Sequence, residues 1–83
     1  MTTHSTLTRL GAQLRRQRLE RGLTQAELAL RAGLPRLKIV QVEAGHGTVS
    51  AGAYARVAGA LGLELASVPA RRPTLDEMDE FLK

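Results

Sequence analysis

The most informative segment of this 83-residue chain is residues 24–45, which have the sequence TQAELALRAGLPRLKIVQVEAG. Thr24 precedes a helical pattern and Glu27 follows three residues later, which is the spacing of a capping box. Gly33 ends this pattern because glycine readily adopts the left-handed conformation found at helix stops. Pro35 suits the first turn of another helix, where its missing N–H is not needed. The segment therefore predicts two short helices joined by a tight turn.

The residues around this turn also predict how the two helices pack. Ala29 lies one turn before Gly33, and its small side chain allows the second helix to cross closely. Leu34 follows the turn, and Ile39 and Val42 supply apolar side chains between the helices. In such a helix-turn-helix the second helix lies in the DNA major groove while the first crosses the backbone. We assign structural roles in this unit to Ala29, Gly33, Ile39 and Val42.

Two further helical patterns flank this unit. The earlier one has leucines at helical spacing, begins at a Ser5 or Thr6 cap and ends at Gly22. The later one begins at the Ser50 cap and ends at Gly62. Because all these helices are short, packing rather than intrinsic propensity must stabilise them.

The spacing of apolar residues changes from helical to alternating at residues 63–68, just before Pro69. This alternation predicts a short β-strand. One copy of the chain offers no second strand, so we expect pairing across a two-fold dimer through Leu63, Leu65 and Val68. The alternative is a coil that closes the monomer's own core.

The expected fold is mainly α, with four to five helices and one short C-terminal strand that pairs across a dimer. We divide the chain into a flexible N-terminal tail (residues 1–5), a DNA-binding domain (6–62), a dimerising strand (63–69) and a C-terminal tail or short helix (70–83). The last part has a capping-box pattern in Thr74 and Glu77. Its alternative interpretation is a frayed tail.

The charge distribution favours a nucleic-acid partner. The chain has a formal net charge of +4, and residues 1–45 hold eight basic and three acidic side chains. Residues 71–83 instead hold three basic and four acidic side chains. A basic half of a small domain is typical of binding to an anion such as DNA, although a solvated polar face has the same composition.

The composition excludes several other functions. There is no cysteine for disulfides, thiolate metal sites or thiol catalysis, and two histidines are too few for a histidine metal site. One Tyr and one Phe argue against single-strand binding by base stacking. No apolar run approaches the roughly 20 residues of a membrane span, and residues 1–5 lack the basic and apolar regions expected of a signal peptide. We therefore expect a cytoplasmic protein that does not bind a membrane.

No pairing of a base with a nucleophile can be assembled from these residues, so we predict no enzymatic activity. We also predict no cofactor and no metal. The acidic cluster Asp76, Glu77, Asp79 and Glu80 is interpreted as a solvated helix face.

The spacing across all four helices resembles the lambda repressor and Cro-like family, also called the xenobiotic-response-element family. The resemblance covers about residues 7–65. The matching residues include Leu10-Gly11, Arg18, the run Gly22 to Ala29, Ala32-Gly33-Leu34, Ile39, the run Val42 to Gly45, Tyr54, Val57-Ala58 and the run Ala60 to Leu63.

This resemblance implies base contacts from the second helix of the unit. It places Arg36, Leu37 and Gln41 at base-facing positions. Arg36 can pair bidentately with guanine and Gln41 with adenine. Leu37 or Val40 is suited to a thymine methyl group.

The resemblance implies a second set of residues for the DNA backbone. Gln25 matches a phosphate-contacting position, and we add Lys38 and Thr48, because such contacts position a protein without specifying sequence. The departure from the family pattern is Pro35, where the family usually has a Ser or Thr cap. Losing that hydroxyl removes one phosphate contact.

The resemblance also pairs Arg18 with Glu43 in a structural ion pair between the first and third helices. The alternative for Arg18 is a solvated side chain.

These residues together predict a transcriptional repressor that binds a palindromic operator in double-stranded DNA as a homodimer. Residues 63–68 with Arg71-Arg72-Pro73 resemble the tail of HipB-type antitoxins, which are partners of HipA-like kinase toxins. The resemblance implies an autoregulating antitoxin. The alternative is a protein-interaction module, toxin-neutralising or scaffolding, with a degenerate DNA-binding surface. The presence of Arg36, Lys38 and Gln41 favours DNA.

Overall fold

A computed structural model of the protein describes residues 3–65. Within this range the chain forms four helices, α1 (Thr3–Glu20), α2 (Gln25–Ala32), α3 (Arg36–Glu43) and α4 (Ala51–Ala60). The expected mainly helical fold is confirmed for these residues. Residues 63–65 form neither helix nor strand. The remainder of the predicted strand and the predicted helix near the C-terminus lie outside the described residues.

The start of α1 differs from the sequence prediction. The helix begins at Thr3, so Ser5 and Thr6 lie inside it rather than at its cap. The predicted tail at residues 1–5 therefore does not hold for residues 3–5. Hydroxyl side chains occupy four of the five positions from 2 to 6. Each is a competent cap, and the sequence alone does not select among them.

The turn between α2 and α3 has the geometry of a Schellman motif. Gly33 has φ 69°, its N–H donates to the Leu30 carbonyl at 3.3 Å, and the Leu34 N–H donates to the Ala29 carbonyl at 3.0 Å. This left-handed conformation strains residues that carry a Cβ, which explains the glycine. The other predicted helix stops, Gly22, Gly45 and Gly62, have the same conformation.

The start of α3 lies one residue later than expected. Pro35 is the N-cap residue, with φ −64° and ψ 151°, rather than part of the first turn. Its fixed φ is compatible with the extended N-cap backbone. Its ring offers no hydroxyl or carboxylate to the helix, so α3 begins without a side-chain cap. The Pro35 carbonyl accepts from the Lys38 N–H at 2.9 Å.

The hydrophobic core lies where the helices meet, with α3 at its centre. The largest fully buried side chains are Leu28 of α2, Ile39 and Val42 of α3, and Val57 of α4. Ala29 of α2 is also buried. The small alanine and the two β-branched residues of α3 pack together, so the inner side of α3 belongs to the core.

Gly11 allows α1 to lie directly against the end of α3. A Cβ built at Gly11 would clash with the Val42 carbonyl oxygen and lie 2.8 Å from the Glu43 carbonyl oxygen. Gly45 makes the reciprocal approach, since a Cβ there would lie 2.6 Å from Thr8 Cα. Backbone-to-backbone contact at these two glycines fixes the position of α3 relative to α1, and with it the direction in which the outer face of α3 points.

Candidate nucleic-acid interface

A capping box fixes the start of α2. Thr24 Oγ1 accepts from the Glu27 N–H at 3.0 Å, and the Thr24 N–H donates to Glu27 Oε1 at 2.8 Å. The bond from the Thr24 N–H lowers the pKa of the Glu27 carboxyl, with a smaller contribution from the Thr24 side chain. The capping box predicted from the sequence is confirmed. It holds the N-terminus of α2, where Gln25 is the first helical residue.

The outer face of α3 consists of Arg36, Leu37, Val40 and Gln41. Arg36 is exposed, Leu37 is 65% exposed, Val40 is 38% exposed and Gln41 is half-buried. At about 100° per residue these four side chains share one side of the helix, opposite the buried Val42. The structure therefore brings the three predicted base-facing residues, Arg36, Leu37 and Gln41, onto one accessible surface.

A buried ion pair lies directly beneath the start of α2. Arg18 Nε lies 2.6 Å from Glu43 Oε2, and Arg18 Nη2 lies 3.2 Å from Glu43 Oε1. Arg18 Nη1 also donates to the Leu23 carbonyl at 2.8 Å. Both charged residues are buried. This bidentate geometry is favourable for arginine and carboxylate, and it ties the end of α1 to the end of α3.

Gln25 connects this ion pair to the outer face of α3. Gln25 Nε2 donates to Glu43 Oε1 at 3.1 Å, while Gln25 Oε1 accepts from Arg36 Nη2 at 3.4 Å. A hydrogen-bonded chain thus runs from the buried Arg18 through Glu43 and Gln25 to the exposed Arg36. This chain was not predicted from the sequence, which assigned Gln25 to a phosphate only.

An open depression of about 520 Å³ lies beside this chain, between α1 and the starts of α2 and α3. Its polar walls include Arg15, Thr24, Gln25 and Arg36. Guanidinium groups next to a helix N-terminus favour an anion such as a phosphate. Arg15 was not singled out by the sequence analysis. Only the excess of basic residues in the first half pointed to it, because helical spacing places Arg15 relative to the leucine face of α1 but not relative to α2 and α3.

The remaining predicted residues lie on α3, in the loop that follows it, and after α4. Lys38 of α3 is half-buried and Thr48, in the loop between α3 and α4, is exposed. The Tyr54 hydroxyl donates to the His46 carbonyl in the same loop at 3.1 Å, and burial raises the pKa of Tyr54. Leu63 is half-buried and Leu65 is exposed, whereas Val68 lies outside the described residues.

Neither a cluster of potential metal ligands nor a helix suited to a membrane occurs in the part of the chain from residue 3 to residue 65. Over that range no three His, Cys, Asp or Glu side chains come together as a metal ion requires. None of the helices described there combines the length and apolarity needed to cross a bilayer. The acidic cluster between Asp76 and Glu80 lies beyond these residues.

Two short helices joined at a left-handed glycine, with an exposed polar and aliphatic face on the second, define a helix-turn-helix module. The family model described as "Helix-turn-helix domain" matches residues 9–75, which is most of the chain. The protein therefore belongs to this helix-turn-helix family, which indicates a DNA-binding regulator and is typically non-enzymatic. No curated protein matches the sequence.

Proposed function

We propose that this protein is a transcriptional repressor of the lambda repressor and Cro-like type that binds a palindromic operator as a homodimer. We further propose that it is the autoregulating, HipB-type antitoxin of a toxin–antitoxin pair. The observation that carries the DNA-binding part is the exposed and contiguous outer face of α3. Hydrogen bonds from Glu43 through Gln25 to Arg36 support this face.

The proposed base contacts follow from the chemistry of that face. Arg36 donates two hydrogen bonds to guanine O6 and N7, and Gln41 both donates to and accepts from adenine. Leu37 contacts the bases through its aliphatic surface. Because Gln25 holds Arg36 from behind, the guanidinium is partly oriented before DNA arrives.

The proposed backbone contacts surround this face. Gln25 lies at the N-terminus of α2, Lys38 lies beside the outer face of α3, and Thr48 is exposed in the following loop. Arg15 joins this group because it lines the same depression as Gln25 and Arg36. Contacts of this kind fix the position of the protein on the duplex and supply most of the salt dependence.

Residues 63–69 are proposed as the dimerising segment, followed by a C-terminal segment at residues 70–83. A helix-turn-helix monomer contacts one half-site, and a two-fold dimer places two such helices about 34 Å apart on the duplex. The exposed aliphatic side chain of Leu65 is available for such an interface.

Sedimentation of the wild type and of Leu65→Pro tests this proposal. We expect the wild type to be a dimer and the proline variant to dissociate more readily. A wild-type monomer at high micromolar concentration contradicts it.

The HipA-like toxin partner rests on the resemblance of residues 63–73 alone. Co-purification with the product of a neighbouring kinase-like gene tests it. Failure of that experiment leaves the DNA-binding proposal standing, because that proposal rests on α3 and not on residues 63–73.

DNA binding itself is tested by enriching duplexes from a random pool with the full chain and titrating the enriched duplex at several salt concentrations. If about six phosphates are neutralised, affinity falls roughly a thousandfold between 50 and 200 mM salt. The matched pair of variants is Arg15→Ala and Arg16→Ala. Arg15 lines the depression next to Arg36, whereas Arg16 lines a different groove beside Leu63.

We expect Arg15→Ala to weaken binding to every duplex and to reduce the salt slope by about one. Arg16→Ala removes the same charge from the adjacent position and should change both quantities less. No enrichment of any duplex at low salt contradicts the proposed function, and equal effects of the two variants contradict the assignment of the interface.

A further inference from the structure

The helix α3 is aliphatic on both sides, which its role in the core does not require. Ile39 and Val42 face the core and are fully buried. Leu37 and Val40 face outwards, and they are 65% and 38% exposed. Large exposed apolar side chains that adjoin each other mark a binding surface more often than isolated ones do. The two residues are three positions apart, so they are neighbours on the helix surface.

The order of side chains across this face indicates the chemistry of the ligand. At about 100° per residue, the sequence around the helix is Arg36, Val40, Leu37 and then Gln41. The aliphatic pair therefore lies between two side chains that form hydrogen bonds. A matching ligand presents polar edges on both sides of a small apolar group.

The major groove contains one such apolar group. Each base edge there consists of hydrogen-bond donors and acceptors, and thymine adds the methyl group on C5. Cytosine lacks this methyl group, and 5-methylcytosine carries it on the same carbon. Leu37 and Val40 are separated by about 4.5 Å along the helix axis, which is comparable with the roughly 3.4 Å between stacked base pairs.

We infer that the Leu37–Val40 pair binds the C5-methyl group of pyrimidines, so that the protein discriminates thymine from uracil and 5-methylcytosine from cytosine. This inference rests on the proposed function and specifies what the DNA must contain. It makes Val40 a specificity-determining residue together with Leu37, and it predicts binding that responds to cytosine methylation at the contacted position.

The surroundings favour DNA over an apolar protein partner as the occupant. Arg36 borders the pair, Lys38 lies beyond Gln41 on the same helix, and Arg15 lies in the adjoining depression. A basic rim complements phosphates, whereas an apolar protein surface gains nothing from it. Leu30 is also exposed, at 85%, but it belongs to α2 and not to the outer face of α3, so it serves as the control residue in the test below.

The test uses the full chain and a duplex that it has enriched from a random pool. Each thymine is replaced in turn by 2′-deoxyuridine, which removes only the methyl group. At one or two positions of each half-site we expect the wild-type affinity to fall roughly fourfold per methyl group. In a second arm, a cytosine at the same position is compared with 5-methylcytosine, and we expect methylation to increase affinity by a similar factor.

Three variants assign the effect to residues. Leu37→Ala and Val40→Ala should each bring the thymine-to-uracil affinity ratio closer to one. Leu30→Ala truncates an exposed leucine on another helix and should leave the ratio unchanged. Because all three side chains are exposed, the variants should unfold at the same temperature as the wild type, which a thermal melt checks.

The inference is overturned if uracil is tolerated at every position, if the ratio survives both α3 variants, or if 5-methylcytosine binds no better than cytosine. An enriched duplex that tolerates uracil but depends on Arg36 removes this inference alone. Failure to enrich any duplex removes the proposed function instead. A shift in sedimentation of Leu37→Ala with an unchanged ratio assigns the pair to a protein interface and contradicts the inference.

Discussion

The inner and outer faces of α3 carry similar residue types in different surroundings. On the inner face Ile39, Val42 and Glu43 are buried, and Glu43 accepts hydrogen bonds from Arg18 and from Gln25. On the outer face Leu37 and Val40 are aliphatic as well, yet they are exposed. The inner face fixes the helix in the domain, and the outer face is what the fixed helix presents.

One side chain, that of Gln25, forms hydrogen bonds to both faces. Gln25 contacts Glu43 on one side and Arg36 on the other. A substitution on the inner face should therefore reduce stability, and a substitution on the outer face should reduce binding. Only substitutions in the hydrogen-bonded series that runs from Arg18 through Glu43 and Gln25 to Arg36 should affect both stability and binding.

The largest effect is expected from the buried ion pair. Arg18→Ala or Glu43→Ala leaves a buried charge without its partner and should lower the free energy of unfolding by about 3–5 kcal/mol. The matched control is Arg16→Ala, because the exposed Arg16–Glu20 pair at 3.9 Å should contribute under about 1 kcal/mol. Denaturant unfolding of the two single variants and of the Arg18→Ala/Glu43→Ala double variant gives the interaction free energy between the two residues. Additive single effects would show that the contact is not formed.

The two valines of α3 compare the faces by the same chemical change. Val42 is 0% exposed, so Val42→Ala removes buried methyl groups and should destabilise the protein by about 2–3 kcal/mol. Val40→Ala should change stability by under about 0.5 kcal/mol and act on DNA affinity instead. Unfolding and duplex titrations on both variants make the comparison. Equal losses of stability would contradict the division into an inner and an outer face.

The contact between α1 and the end of α3 is tested with two glycines. Gly11→Ala introduces a Cβ against the backbone of Val42 and Glu43, and we expect a loss of about 1–3 kcal/mol. Gly59 lies in α4, and apart from its chain neighbours and its own helix backbone no atom lies within 4 Å of the position of an added Cβ. Gly59→Ala should therefore stabilise the protein by up to about 1 kcal/mol. Thermal melts that showed stabilisation by both alanines would place α1 away from α3.

The smallest effect concerns pH. The Thr24 N–H lowers the pKa of Glu27 below its ordinary value of 4.5 in the folded protein. The stability from the ionised carboxylate is therefore complete above that ordinary value and is lost as pH falls through the lowered pKa. Glu27→Gln keeps a side-chain oxygen for the cap but does not titrate. Between pH 7 and pH 3 the free energy of unfolding should fall less in this variant than in the wild type. Identical pH profiles of the two proteins would contradict the capping role.

Local features of this protein were predictable from the sequence, and contacts between distant residues were not. The capping box of Thr24 and Glu27, the Ser50 cap and the glycine helix stops depend on neighbouring residues, and the structure contains them. The helix-turn-helix unit was predicted from residues 24–45, and the family match confirms a helix-turn-helix domain. The start of α1 was misplaced because several adjacent hydroxyl residues compete as caps.

The contacts of Gln25 could not be predicted, because they depend on how three helices pack. Spacing shows that Gln25 begins α2, but its distance to Glu43 depends on how α2 packs against α3. The sequence does not show which of Arg15 and Arg16 lies near Arg36, because that depends on how α2 and α3 pack against α1.

The most direct test of the central claim, that the outer face of α3 contacts DNA, is an NMR titration of the isotope-labelled full chain with its enriched duplex. We expect the largest shift changes at the methyl groups of Leu37 and Val40 and at the side-chain amides of Gln25 and Gln41. The methyl groups of Val42 should shift much less. Changes that are absent, or confined to the groove around Leu10 and Leu63, would contradict the claim.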